Sequence, residues 1–182
     1  MAEEQKTPSF LLRQKFPFEP TVGQVELFQK MEKFILNTDD FGPLCFLLKG
    51  YAGTGKTTVI STIIKVLPKF GYKSVLLAPT GRAAKVMSNY SKKTALTIHK
   101  KIYRQVSNPS SGTLTFQRMN NYATNTVFIV DEASMVHLEM MDALLEALPR
   151  MEGSPYVFFA ARGGALSDMT LSGVMRRMQD VE

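Results

Sequence analysis

The sequence predicts an α/β fold in which helices cover both faces of an open, parallel sheet. Two observations carry that reading. Short all-apolar runs alternate along the chain with stretches of helical period, as strands and crossover helices do. Two of those runs end in residues suited to holding phosphate and a divalent cation. Apolar residues make up 45% of the chain and charged residues 21%, which excludes a disordered chain. At 182 residues there is length for one such domain and its core.

Residues 1–20 carry Pro8, Pro17 and Pro20 without an apolar period, and read as a loosely ordered lead-in. Thr21 suits a helix cap, and Val25, Phe28, Met31, Phe34 and Ile35 then recur at helical spacing to Leu36. Pro43 opens the apolar run 44–48, which ends at Gly50 and suits a strand buried on both faces. A helix is expected over 55–67, stopped by Pro68 and Gly71. Residues 74–78 form the second strand and 81–89 the second helix; 127–130 is the third strand, followed by a helix over 138–148. Residues 107–125 are too polar for core and read as a surface insertion, with a hairpin around Ser111-Gly112. The domain proper is therefore expected over 21–149, with an atypical tail over 150–182.

Composition narrows the function classes. The single Cys45 excludes an internal disulfide and fits a reducing compartment. The apolar runs are too short to cross a bilayer, and the N-terminal residues have no apolar signal core. A soluble, cytoplasmic protein with no membrane partner is expected. His99 and His137 are the only histidines, too few with one cysteine for a transition-metal site. A net charge of +6 permits a polyanionic partner without demonstrating one.

Gly50-Tyr51-Ala52-Gly53-Thr54-Gly55-Lys56-Thr57 is a complete G-x-x-x-x-G-K-[ST] loop, placed after an apolar strand and before a helix. Its glycines let backbone N–H groups turn toward a phosphate at the positive end of that helix. Gly50, Ala52, Gly53, Thr54, Gly55, Lys56, Thr57 and Thr58 are the candidate nucleotide-binding residues. Lys56 reaches the β- and γ-phosphates, and the Thr57 hydroxyl is a ligand for Mg²⁺. The second strand with chemistry is Val127-Phe128-Ile129-Val130-Asp131-Glu132. It delivers two carboxylates to the C-terminal edge of the sheet, where the phosphate loop also lies. Asp131 is the second magnesium residue, acting through water, and Glu132 the group that orients or deprotonates the attacking water. Lys56, Asp131 and Glu132 are thus the catalytic candidates, with ATP and Mg²⁺ as cofactors.

Five segments stand in a recognisable order: Thr21-Val22-Gly23-Gln24, the phosphate loop, Ala78-Pro79-Thr80-Gly81-Arg82-Ala83-Ala84, Thr97-Ile98-His99, and Asp131-Glu132-Ala133-Ser134-Met135. Over residues 15–149 this resembles the N-terminal RecA-like domain of superfamily 1 DNA helicases of the RecD-like (5′-to-3′) branch. The resemblance implies a P-loop NTPase of RecA-like sheet order, adenine recognition by Gln24, and a single-stranded DNA path along Thr80, Arg82, Thr97, Ile98 and His99. Independently of it, Arg82, Lys85, Lys92, Lys93, Lys100, Lys101 and Arg104 form a basic cluster interspersed with Tyr90 and Tyr103. That suits a single-strand path; a solvated helix face would have the same composition.

The pattern departs from the family after residue 149. The expected Gly-Asp-x-x-Gln is replaced by Ala161-Arg162-Gly163-Gly164. From about Leu144 the chain resembles an internal stretch of phage-type tyrosine recombinases, around Ser167-Asp168-Met169-Thr170-Leu171-Ser172. That family's nucleophile is not matched, since Tyr122 and Tyr156 correspond to nothing catalytic. A chimeric or truncated chain lacking the second RecA-like domain is expected, with a divergent helicase tail as the alternative. Without that domain's arginine fingers, hydrolysis would be poor. The RecA-like order leaves a slot between the phosphate-loop strand and the Asp131 strand. Residues 155–160, apolar on both sides, suit it, while the open edge at 44–48 invites aggregation. Two other functional readings stay open: a P-loop NTPase with no DNA role, and a non-functional chimeric remnant.

Overall fold

A computed structural model describes residues 6–36, 45–107, 109, 112–119, 123–147 and 156–162. Along the chain come α1 (Pro8–Lys15), α2 (Val22–Leu36), β1 (Cys45–Gly50), α3 (Lys56–Val66), β2 (Lys73–Ala78), α4 (Gly81–Ser91), β3 (Ala95–Thr97), α5 (Ile98–Ile102), β4 (Tyr103–Ser107), β5 (Leu114–Arg118), β6 (Thr126–Val130), α6 (Leu138–Ala147) and β7 (Tyr156–Arg162). Five strands form one sheet in the order β1-β7-β6-β2-β3. Every pairing in it is parallel.

Two-sided burial explains the sheet. All five residues of β6 are buried, and they alternate between two cores. Val127 and Ile129 enter the core shared with α1 to α4, while Phe128 and Val130 enter the one shared with α5 and α6. On β2, Leu76 and Ala78 face the first core and Leu77 the second. Strands so placed must be apolar at every position, which is why they read as unbroken runs. β7 lies between β1 and β6, with Phe158 opposite both Phe46 and Ile129. β1 and β3 are the sheet edges among the described residues. At the β1 edge Phe46 packs edge-on against Phe34 of α2 at 5.4 Å and Leu48 is buried.

The lead-in is not loosely ordered throughout. Residues 8–15 form α1, with Thr7 as N-cap accepting from the Phe10 N–H and Pro8 in the first turn. Proline there starts a helix rather than breaking it, since its missing N–H would have no helical partner. Leu12 is fully buried and Phe16 stacks edge-on against Phe28 at 5.4 Å, so the segment belongs to the core. Its link to α2 is polar: the Ser9 N–H and hydroxyl both donate to Glu32. The Ser9 hydroxyl is the main reason the Glu32 carboxyl pKa lies below its ordinary value. A depressed carboxyl pKa stabilises the fold above the unfolded value, and that contribution is lost as pH falls through the folded value. Ser9→Ala should therefore cost about 0.5–1 kcal/mol near neutral pH, allowing for solvent screening, and almost nothing in acid. Urea melts at the two pH values measure this; an equal loss at both would show that Ser9 acts by packing alone.

The insertion is a hairpin, but it starts earlier than expected. β4 and β5 pair antiparallel, with Ser107 opposite Leu114, and Gly112 has φ +66° between them. Ser111 and Tyr122 lie outside the described residues. The basic cluster is spread over α4, a turn, the short α5 and β4, so it is not one helix face. The tail residues 163–182, including Ser167–Ser172, also lie outside the described residues, as do 148–155. Among the described residues no helix is long and apolar enough to cross a membrane.

Candidate functional site

The C-terminal edge of the sheet gathers the candidate residues. β1 runs into the phosphate loop, and Gly50 must lack a side chain because a Cβ would lie 2.9 Å from the Thr54 Oγ1. Gly53 and Gly55 take φ of +79° and +83°, values that other residues rarely adopt. The loop so formed delivers the chain to the N-terminus of α3, where Lys56 and Thr57 occupy the first two helical positions. Lys56 Nζ donates to the Gly50 carbonyl and, at 2.6 Å, to the Tyr51 carbonyl. The ammonium thus spans its own loop, and of its three N–H donors one remains for a phosphate.

Gln24 is built into the same loop. Its Oε1 accepts from the Thr21 N–H at 3.0 Å, forming a capping box with Thr21 at the start of α2. Its Nε2 donates to the Thr54 carbonyl at 3.3 Å. A primary amide has two donors and two acceptor sites, so one of each remains for a base edge. A cavity of about 410 Å³ opens here, lined by Gln24, Leu27, Phe46, Gly50, Thr54 and Lys56 among others. Thr58 is half-buried, and its carbonyl accepts from the Thr62 hydroxyl at 2.8 Å.

The acid pair follows β6, two strands from β1 in the sheet and hence about 10 Å away. Asp131 Oδ1 accepts from the Glu132 N–H and Oδ2 from the Tyr90 hydroxyl, each at 2.9 Å. Burial, then the facing Asp131 carboxylate, pushes the Tyr90 pKa well above the ordinary range, so the hydroxyl stays a donor. Glu132 has φ +54° and leads into a 3₁₀ turn over Ala133–Met135. A left-handed non-glycine residue costs roughly 1 kcal/mol, a strain that turns the chain sharply at the sheet edge. The hydroxyl of Thr57 and the carboxylate of Asp131 are hard oxygen donors of the kind Mg²⁺ takes. Few protein ligands suit that ion, which keeps waters and phosphate oxygens; among the described residues no cluster of three or more His, Cys, Asp or Glu could hold a metal.

The DNA-side candidates lie beyond Asp131 on the same edge, after β2 and β3. Thr80 caps α4, its hydroxyl accepting from the Ala83 N–H at 3.2 Å, and Arg82 is exposed. Thr97 caps α5 in the same way, accepting from the Lys100 N–H at 3.1 Å. Ile98 departs from expectation: it is 1% exposed, and its side chain anchors α5 in the second core instead of facing a DNA strand. His99 is exposed, with its ring 4.7 Å from Tyr103 and 5.3 Å from Phe116 of the hairpin. This aromatic group, with Thr97, Arg104 and Met119, lines an open cavity of about 430 Å³. Phe116 and the Tyr90 contact were not foreseen; each joins residues distant in sequence.

Residues 38–159 match a protein family described as an AAA domain. The chain belongs to that family. Its match runs past residue 149, where the motif resemblance stops. The chain is 36% identical over 104 residues to the ATP-dependent DNA helicase dda of Enterobacteria phage T4, covering 56% of this chain and 24% of that protein. It is 32% identical over 104 residues to the ATP-dependent RecD2 DNA helicase of Deinococcus radiodurans, covering 57% of this chain and 14% of that one. Among solved structures, a chain of the Phi-28 gp11 DNA packaging motor is similar over 79% of this chain and 52% of its own, at 16% identity and a TM-score of 0.42. This AAA domain is thus an α/β, ATP-binding, helicase-like domain of the superfamily 1 RecD-like type. It spans a quarter or less of the length of these two curated relatives.

Proposed function

We propose that this AAA domain is the first motor domain of an ATP-dependent DNA helicase, binding ATP and single-stranded DNA on one sheet edge. The observation that carries it is the order along that edge: the phosphate loop, Asp131-Glu132, then Thr80, Arg82, Thr97 and His99. ATP would sit with its phosphates in the loop and its adenine against Gln24. Thr57 and Asp131 would hold Mg²⁺, which when bound neutralises charge on the phosphate oxygens. Lys56 would turn its remaining N–H to the phosphates, and Glu132 would take the proton of the attacking water. Efficient turnover would need a second RecA-like domain to supply arginine to the transition state.

DNA contact is the finer part of the proposal and rests on the exposed Arg82 together with the His99, Tyr103 and Phe116 rings. Such a surface tracks phosphates by charge and bases by stacking. Binding of a labelled oligothymidylate, read by anisotropy, should weaken steeply with salt. Arg82→Ala should reduce the salt slope by about one, and His99→Ala should weaken binding about fivefold or more with the slope kept. A salt-independent interaction, or variants indistinguishable from wild type, would leave the basic cluster as a solvated surface and favour an NTPase with no DNA role.

A further inference from the structure

Tyr90 belongs to none of the motifs that mark this domain, yet its hydroxyl is bonded to the acid at the centre of the site. The ring, in the last turn of α4, packs against the first core, and the hydroxyl reaches Asp131 Oδ2 at 2.9 Å. A phenylalanine would fill the same space, so the packing does not account for the hydroxyl. With the Glu132 N–H on Oδ1, the carboxylate is held at both oxygens. Two hydrogen bonds from different elements fix its plane, and each oxygen keeps a further acceptor site for a metal-bound water.

We propose that Tyr90 is a positioning residue: its hydroxyl sets the orientation in which Asp131 receives the magnesium–nucleotide complex, and it makes that orientation depend on where α4 sits. This rests on the reading of Asp131 as a magnesium residue. The helix concerned starts at the Thr80 cap and carries Arg82, so the same rigid element holds a DNA-side residue at one end and the hydroxyl at the other. A tyrosine has two side-chain torsions, and this partly buried ring packs against the first core, so a shift of α4 moves the hydroxyl with it.

The test titrates a fluorescent, non-hydrolysable ATP analogue into wild type and Tyr90→Phe, with Mg²⁺ and with excess EDTA. Equal affinities in EDTA are expected, and a metal-dependent gain in affinity about fivefold smaller in the variant, the size of one typical net hydrogen bond. Mn²⁺ in place of Mg²⁺, followed by paramagnetic resonance with the analogue bound, should report the same loss on the metal itself. In an Asp131→Asn background, Tyr90→Phe should add nothing, because the hydroxyl acts through that carboxylate. An undiminished metal-dependent gain, an equal loss in EDTA, or additive effects in the double variant would each overturn the proposal. Wild type showing no metal-dependent gain would instead overturn the reading of Asp131 beneath it.

Discussion

Lys56→Ala is expected to weaken ATP binding by at least about tenfold, roughly 1.4 kcal/mol. The backbone of the loop offers N–H dipoles at the start of α3, but no full charge. A triphosphate carries several negative charges, and Lys56 is the cation bonded to the loop itself. Its gain on binding is a difference, because Nζ already donates to the Gly50 and Tyr51 carbonyls before ATP arrives. For that reason the expected loss is tens of fold rather than thousands. Removing the ammonium also leaves those carbonyls facing the phosphates, which adds repulsion. Titration with a fluorescent ATP analogue reads the effect directly, and equal affinity in the two proteins would remove the phosphate loop from nucleotide binding. Lys56→Arg should recover little, since a planar guanidinium does not fit where a compact ammonium sits between two carbonyls.

Much of this fold could be read from the sequence because its strands are buried on two faces. Val127, Phe128, Ile129 and Val130 serve two cores in alternation, and a strand in that position needs an apolar residue at every step. The helices at 56–66 and 81–91 follow from their glycine and threonine starts. What escaped were elements whose signal is weak or contrary. α1 opens on a proline that reads as a breaker until its position in the first turn is known. β3 has three residues, too few for a period to show. The site divides in the same way. The phosphate loop and Asp131-Glu132 are contiguous, so local spacing reveals them. Tyr90 and Phe116 reach their partners across the fold, and a tyrosine among lysines and arginines reads as a stacking residue of the single-strand path, whereas Tyr90 packs against the core and bonds Asp131. Ile98 fails for the opposite reason: it lies within a contiguous tripeptide, but its apolar side chain turns inward between the half-buried Thr97 and the exposed His99.

Glu132→Gln should preserve nucleotide binding and reduce hydrolysis by about a hundredfold or more, in the range that general-base removal produces. The carboxylate follows Asp131 directly, and the left-handed turn at φ +54° ends the strand there, with the Glu132 N–H donating to Asp131. Asp131 is held by Tyr90 and by the backbone, which suits a fixed acid beside a metal. Glu132, half-buried at the edge of the sheet, is the residue proposed above to act on the attacking water. Glutamine keeps the size and the backbone conformation while losing the ability to accept a proton, so the variant isolates the chemical step. The measurement belongs in a polypeptide with a second RecA-like domain, where the basal rate is high enough for a hundredfold fall to be seen. There, the affinity for the ATP analogue should match wild type while single-turnover hydrolysis falls. Unchanged turnover would assign proton transfer to another group. A parallel loss of binding would mean that Glu132 shapes the site through the strained turn instead of acting on the water.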